Sequence, residues 1–471
     1  MELRGLSGAL KITICSFFVA SCQSSNFTFE NSNPLSFVKD SKIINFVGGN
    51  NKVKQAKTPT KPLSDILRHA LVERNDGTDF ITVLSSALEK DPVLISQKQI
   101  YESKVSAIAS SEARKEYQVT STIYGGVEDI TDNTKGLALG LNASRLVFDG
   151  GQLNAEIASK TFQAEMAKLD LQAATDSRAF ALGEIWLELE KYQELQKQID
   201  ERLAVLDPLI GQLEQVAQAG IGDVSKVTAA QRTVSGIRVT QTNISEGLAK
   251  AQLEFANAYG SVQETISYDP EIVRDLIPDT FSDELAKKSP LLLAKYANYK
   301  AALENLKIVE AKNEFNIGLE ARAMMPFAGS GYDSDESIGL VARKTLFNGG
   351  MRESEIDEAE AVANSALAEV ESAYRQGVRA INSAQQSIES MDKAIVLARE
   401  NAKVTSDEIA YLRQQLIIGG STLDSVLSAE ARLYEAESKE INFRTNKRLA
   451  ELLIVSSLGL LSSAVNIGLD K

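Results

Sequence analysis

The sequence predicts an α+β membrane protein built from two similar halves, each a pair of short strands followed by a very long helical hairpin. Three observations carry that prediction. Phe148-Asp149-Gly150-Gly151 and Phe347-Asn348-Gly349-Gly350 lie 199 residues apart, and the glycine turns at Gly220 and Gly419 share that offset. Equal offsets at two landmarks mark an internal two-fold repeat, a signal that outranks local propensity. Four segments alternate apolar and polar residues with the period of a strand. Between each Phe-x-Gly-Gly and the next glycine turn, apolar residues recur instead at helical spacing.

Composition agrees with a helical protein. Of 471 residues 44% are hydrophobic but only 6% aromatic, with 9 prolines, a balance that suits elongated helical packing better than one thick globular core. The formal net charge of -14 argues against nucleic acid as a partner, because phosphates require a basic face. Enzymatic classes find little support. His69 is the one histidine, which removes multi-histidine metal motifs, and no glycine-rich loop ends in Gly-Lys-Ser or Gly-Lys-Thr. No catalytic residue, metal ligand or cofactor is therefore predicted, and the paired acids Asp333 and Asp335 read as a solvated loop.

Residues 1–21 read as a lipoprotein signal peptide. Arg4 and Lys11 precede the apolar run from Ile12 to Ala20, far shorter than the roughly 20 residues with which a helix spans a bilayer. The run closes on Val19-Ala20-Ser21-Cys22, which resembles the lipobox of bacterial lipoproteins, so Cys22 is the expected lipid attachment site and first mature residue. Cys15 would leave with the signal, and the mature chain then has no disulfide. Gln23 follows the cysteine where many retained lipoproteins carry Asp, so outer-membrane sorting is expected. Residues 22–61, rich in Ser, Asn, Lys and Thr without a period, read as a tether.

The organised chain divides into a first repeat over 62–270 and a second over 271–462, with a tail at 463–471. In the first, strands are expected at about 117–127 and 136–147. Tyr117, Val119 and Ile123 oppose Gln118, Thr120 and Thr122, and Leu137, Leu139, Leu141 and Ala143 oppose Ala138, Gly140, Asn142 and Ser144. In the second, at about 315–326 and 336–346, Ile317, Leu319, Ala321 and Ala323 oppose Gly318, Glu320 and Arg322, and Ile338, Leu340 and Ala342 oppose Gly339, Val341 and Arg343. One face suits lipid and the other water, over about the 9–11 residues of a tilted membrane strand. Tyr117 and Phe315 begin the first strands, and Arg145 and Lys344 end the second. A hairpin brings these aromatics and cations to one level, as at a membrane interface. Glu128, Asp129 and Asp132, with Asp333, Asp335 and Glu336, suit an aqueous exterior at the other end. Four strands cannot close a barrel and hydrocarbon tolerates no open edge, so the protomer must share its barrel with copies of itself.

Phe148, Gly150 and Gly151, like Phe347, Gly349 and Gly350, mark strand-to-helix junctions. The helical hairpins are expected at about 149–260 and 348–458, with descending legs reaching roughly 100 Å at about 1.5 Å per residue. From Leu182 through Leu189, Ile199 and Leu206 to Val216 the apolar positions advance by about 3.4 residues, near the coiled-coil repeat of 3.5. Pro208 predicts a kink or local opening in the first leg. At the tips, Gly220 and Gly222, and Gly419 and Gly420, permit the reversal. Asp223 can cap the returning helix, while a ring of carboxylates at an entrance is the other reading of Asp223 and Asp424.

In this order the features resemble the TolC-like outer-membrane channel proteins. The openings at Phe148 and Phe347 look like that family's strand-to-helix junctions, and Leu423, Leu427, Ala429 and Leu433 match its Leu-x-x-x-Leu-x-Ala-x-x-x-Leu run. The resemblance implies a homotrimer, with a twelve-stranded barrel in the outer membrane above a twelve-helix periplasmic tunnel. It also implies a periplasmic adaptor at the tip and an inner-membrane pump, either ABC or proton-driven. It makes Gly220, Gly222, Asp223, Gly419, Gly420 and Asp424 candidate adaptor contacts. Many members carry Asp where this chain has Ser425, with Asp424 one position earlier, so an aspartate gate does not transfer directly. The segment Gly222-Asp223-Val224-Ser225-Lys226-Val227, with Gln231-Arg232, is similar to the first tip of type I protein-secretion members. Lipobox-bearing members are commonly drug or metal efflux ducts. The tip favours secretion, with efflux as the alternative. A lipid-anchored coiled-coil scaffold without a pore would leave the four strands unexplained.

Overall fold

The computed structural model describes residues 79–129, 134–220, 224–260, 266–277, 283–327, 330 and 333–464. Cys22, the signal peptide, the tether, Asp132, Gly222 and Asp223 lie outside them. Two helices, α1 (Phe80–Glu89) and α2 (Pro92–Glu112), lead into strands β1 (Gln118–Asp129) and β2 (Thr134–Phe148). The long pair α3 (Gln152–Ala219) and α4 (Val224–Tyr259) follows, then the short α5 (Pro270–Arg274). The order then recurs: α6 (Pro290–Ala311), β3 (Asn316–Pro326), β4 (Asp335–Arg343), α7 (Met351–Ile417), α8 (Leu423–Ser457), and a last turn α9 (Leu460–Ala464). Asp91 begins α2 by accepting from the backbone N–H of Val93 at 2.8 Å, with Pro92 in the first helical position where its missing donor costs nothing. The same carboxylate takes Arg178 at 2.6 Å, which ties α2 to α3.

The strands form one antiparallel sheet in the order β1-β2-β3-β4. Residues directly opposite in an antiparallel ladder share a face. Val119 pairs with Ala143 and Ile123 with Leu139; across the next ladders Leu141 pairs with Ala323, Leu319 with Leu340, and Ala321 with Ile338. That face is therefore mostly apolar across all four strands, with Ser121 opposite Leu141 and Glu336 opposite Ala323 as polar exceptions. On the other, Thr120 pairs with Asn142, Asn142 with Arg322, and Arg322 with Ser337. Glu320 there takes Arg343 at 2.7 Å. β4 ends at Arg343, short of the predicted 346, because its partner β3 begins at Asn316, opposite Arg343, and offers no ladder beyond it. Among the described residues β1 and β4 are left with open edges.

Packing of the helical body departs from the uniformly slender bundle that composition suggests. Trp186, the one tryptophan, is fully buried among Phe80, Phe255 and Tyr259, with ring centroids 5.3, 5.5 and 5.8 Å away. Tyr268, 5.1 Å from Phe80, and Val455 and Leu461 extend this core, so α1, α3, α4, the 266–277 connection, α8 and α9 converge on it. Toward the tips the core narrows to Leu195, Ile199, Leu206 and Ile210 of α3 against Val234 and Ile237 of α4 and Leu427 of α8. The helix α3 runs through Pro208 without interruption. Leu206 and Ile210, buried on either side of the proline, pack the segment in place of the local opening predicted there.

Asp176 of α3 is buried and holds α9: it accepts from the backbone N–H and the hydroxyl of Ser462, both at 2.9 Å. Burial outweighs these hydrogen bonds and pushes its carboxyl from 3.8 up to about 6. The folded state then holds the proton more tightly than the unfolded state, so stability is fully present below about pH 4 and declines as pH rises to about 6. The loss should be on the order of 2 kcal/mol. Denaturant titrations across that range should show it, and Asp176→Asn should flatten the dependence.

Candidate functional site

Two regions bear the features expected to act: the junctions where strands become helices, and the tips where helices reverse. At the first junction Phe148 ends β2 half exposed, and Gly150 and Gly151 adopt φ of 67° and 90°. A side chain at Gly150 would collide with Glu314, so the glycine is needed both for its dihedral and for close packing against the end of α6. Asp149 caps α3, accepting from Gly151 N at 3.0 Å and Leu153 N at 2.7 Å. At the second junction Gly349 and Gly350 adopt φ of 70° and 87°, Phe347 is exposed, and no side chain caps α7. The Asp149 cap is legible in hindsight as the acid before two glycines.

At the tips Gly220 and Gly419 take φ of 63° and 76°. Gly420 does not, and a side chain there would meet only the flexible end of Gln415. Thr422 caps α8 by accepting from Ser425 N at 3.2 Å, so Ser425 serves the cap. Asp424 lies in the first turn of α8 and accepts from the Thr233 hydroxyl of α4 at 3.3 Å, which joins the two hairpins just behind the turn. Ile417 and Ile418, which precede the second turn, are exposed. Gly419→Val should cost about 1–2 kcal/mol of local stability for the left-handed backbone, whereas Gly420→Val should cost less. Amide exchange near the turn would measure the difference, and equal effects would refute it.

Behind the tips lies a charge cluster that sequence reasoning missed. Glu430 of α8 is fully buried. One of its oxygens takes Arg202 of α3 at 2.9 Å and the other takes Arg413 of α7 at 2.6 Å. Arg202 also reaches Glu437 at 2.9 Å, which in turn accepts from Gln198 at 2.9 Å. Higher up, Arg448 pairs with Glu190 at 2.7 Å and Arg444 pairs with Glu194. These pairs clamp α8 against α3, while Lys447 reaches Asp392 of α7 at 2.6 Å. None had a sequence signal, because each partner lies on a helix whose surface is densely charged. Among the described residues no group of three or more His, Cys, Asp or Glu could hold a metal ion, and no helix is long and apolar enough to cross a membrane.

Comparison with known proteins bears on the fold and the class of protein. Residues 281–460 match the family model described as outer membrane efflux protein. The chain is 22% identical over 423 residues to the outer membrane protein TolC of Vibrio cholerae serotype O1, covering 82% of this chain and 93% of that protein. It is 19% identical over 361 residues to the outer membrane efflux protein BepC of Brucella suis biovar 1, covering 75% and 78%. The fold is that of solved outer-membrane channels: TM-score 0.71 at 15% identity to CusC, covering 82% of this chain and 93% of that one. For VceC from Vibrio cholerae the TM-score is 0.69 at 17% identity, covering 81% and 96%. The chain is thus similar to outer membrane efflux proteins over residues 281–460 and has the fold of solved outer-membrane channels.

Proposed function

We propose that the protein is the outer-membrane exit duct of a tripartite export machine, a homotrimer that passively conducts cargo received from an inner-membrane pump through a periplasmic adaptor. The observation that carries this reading is the sheet: among the described residues four strands, one mostly apolar face and two open edges, a combination stable in hydrocarbon only when copies complete a barrel. Three copies give twelve strands. The helices support it too, since Leu397, Val404 and Tyr411 of α7, with Ile418 just beyond its end, are exposed at intervals of seven, a seam suited to a neighbouring helix. Lipid attachment at Cys22, adaptor contact at Gly220, Gly222, Asp223, Gly419, Gly420 and Asp424, and the repeat and tether boundaries belong to the same proposal.

Type I protein secretion is the favoured cargo class, on the tip sequence from Gly222 to Arg232. Efflux of small molecules is the second reading, supported by the lipobox and by relatives whose names describe efflux proteins. Purified protein should run as heat-modifiable trimers and give single-channel conductance in planar bilayers. Cys22→Ser should lose acylation yet keep both properties. A soluble, non-conducting monomer would refute the duct. Loss of an exported protein from the medium of a deletion strain, with unchanged drug and metal sensitivity, separates secretion from efflux.

A further inference from the structure

Each half of the chain sets a cation over an aromatic ring at one level of the sheet. The Arg145 guanidinium carbon stands 4.9 Å from the centroid of Tyr117, and Lys344 Nζ stands 5.0 Å from that of Phe315. Tyr117 directly precedes β1 and Phe315 directly precedes β3, and all four side chains are exposed. Arg145 donates from Nε to the Lys115 carbonyl at 3.4 Å, but among the described residues neither Arg145 nor Lys344 is ion-paired. On the helical side Arg114 takes Glu156 at 2.6 Å and Lys312 takes Glu355 at 3.2 Å. On the sheet side Val119, Ile338 and Leu340 of the mostly apolar face are exposed. In a chain of net charge -14, two unpaired cations on ring faces thus occupy the border between an apolar band and a charged helical body.

We propose that Tyr117 with Arg145, and Phe315 with Lys344, form two equivalent headgroup sites per protomer for an anionic phospholipid of the phosphatidylglycerol class, in the leaflet facing the helices. The inference rests on the barrel reading above. Each ring fixes its cation through its negative face and presents its own body to the lipid chains. Among the described residues the guanidinium and ammonium groups lack a counter-ion, and they pair with the lipid phosphate. A zwitterionic lipid carries its own ammonium and competes for that phosphate, which is why an anionic headgroup is selected.

Full-length trimers in phosphatidylcholine nanodiscs should prefer spin-labelled phosphatidylglycerol over spin-labelled phosphatidylcholine by about fivefold, the ratio corresponding to roughly 1 kcal/mol per cation at an anionic lipid surface. Arg145→Gln combined with Lys344→Gln should abolish the preference, each single change should reduce it, and Arg145→Lys should retain it. If the double variant does not assemble, the single variants carry the same test. A preference unchanged by these substitutions overturns the proposal, as does one that inorganic phosphate removes at constant ionic strength, which would mark a free-anion site. Conductance is recorded on the same protein. Conducting wild-type trimers without lipid preference overturn the headgroup sites and spare the duct, whereas wild-type protein that forms no pore overturns both.

Discussion

Glu430→Ala should lower the stability of the helical body by about 3–5 kcal/mol, the cost of stranding buried charge by removing one partner. The geometry gives the reason. Arg202 and Arg413 approach the two oxygens of one fully buried carboxylate from different helices, so its removal leaves two guanidinium groups without their shared counter-ion. Glu437 would still neutralise Arg202, so Arg413 becomes the more exposed liability. Glu430→Gln keeps an acceptor and the shape, and should cost less. Replacing Arg202, Arg413 and Glu430 together by apolar residues of similar volume should recover most of the loss, since a buried ionic cluster contributes little net stability over good apolar packing. Denaturant midpoints followed by far-ultraviolet circular dichroism test the series. If Glu430→Ala and the triple replacement fall equally, the cost comes from packing volume and the electrostatic account fails.

Trp186→Ala should be comparably damaging, at about 3–5 kcal/mol, through a cavity that four surrounding segments cannot collapse to fill. The indole touches α1 through Phe80 and α4 through Phe255 and Tyr259, and Tyr259 is itself pinned by donating its hydroxyl to the Leu182 carbonyl at 2.7 Å. Trp186→Phe should cost much less, about 1 kcal/mol, because the indole N–H has no partner among the described residues and its removal relieves a desolvation penalty that offsets part of the lost volume. A Phe variant as unstable as the Ala variant would mean the indole nitrogen is bonded after all. In the unmodified protein the same residue reports on itself: with one tryptophan in the chain, intrinsic fluorescence follows the melting of this core alone.

Much of the sheet was legible in the sequence because its information is local. Alternation over a few residues set the faces, and the register brought Val119, Ala143, Ala321 and Ile338 together on one of them as that alternation required. Arg145 over Tyr117 and Lys344 over Phe315 follow from the same argument, since residues flanking paired strands must meet at one level. The glycines at the junctions and at Gly220 and Gly419 were readable because only glycine is comfortable with a positive φ. The end of β4 was not readable, for it depends on where β3 begins. The uninterrupted course of α3 through Pro208 depends likewise on buried neighbours and not on the proline itself.

By itself the sequence determined the repeated plan, the faces of the strands and the places where the chain turns, since each is written in spacing within a single element. Only the tertiary structure decided which charges meet and where the body is thick. Glu430 finds Arg202 at a separation of 228 residues and Ser462 finds Asp176 at 286, and the Trp186 core gathers side chains from segments spread over nearly the whole chain. Such encounters arise from the crossing of long helices, and a carboxylate destined for burial carries no local mark that separates it from the many beside it in water.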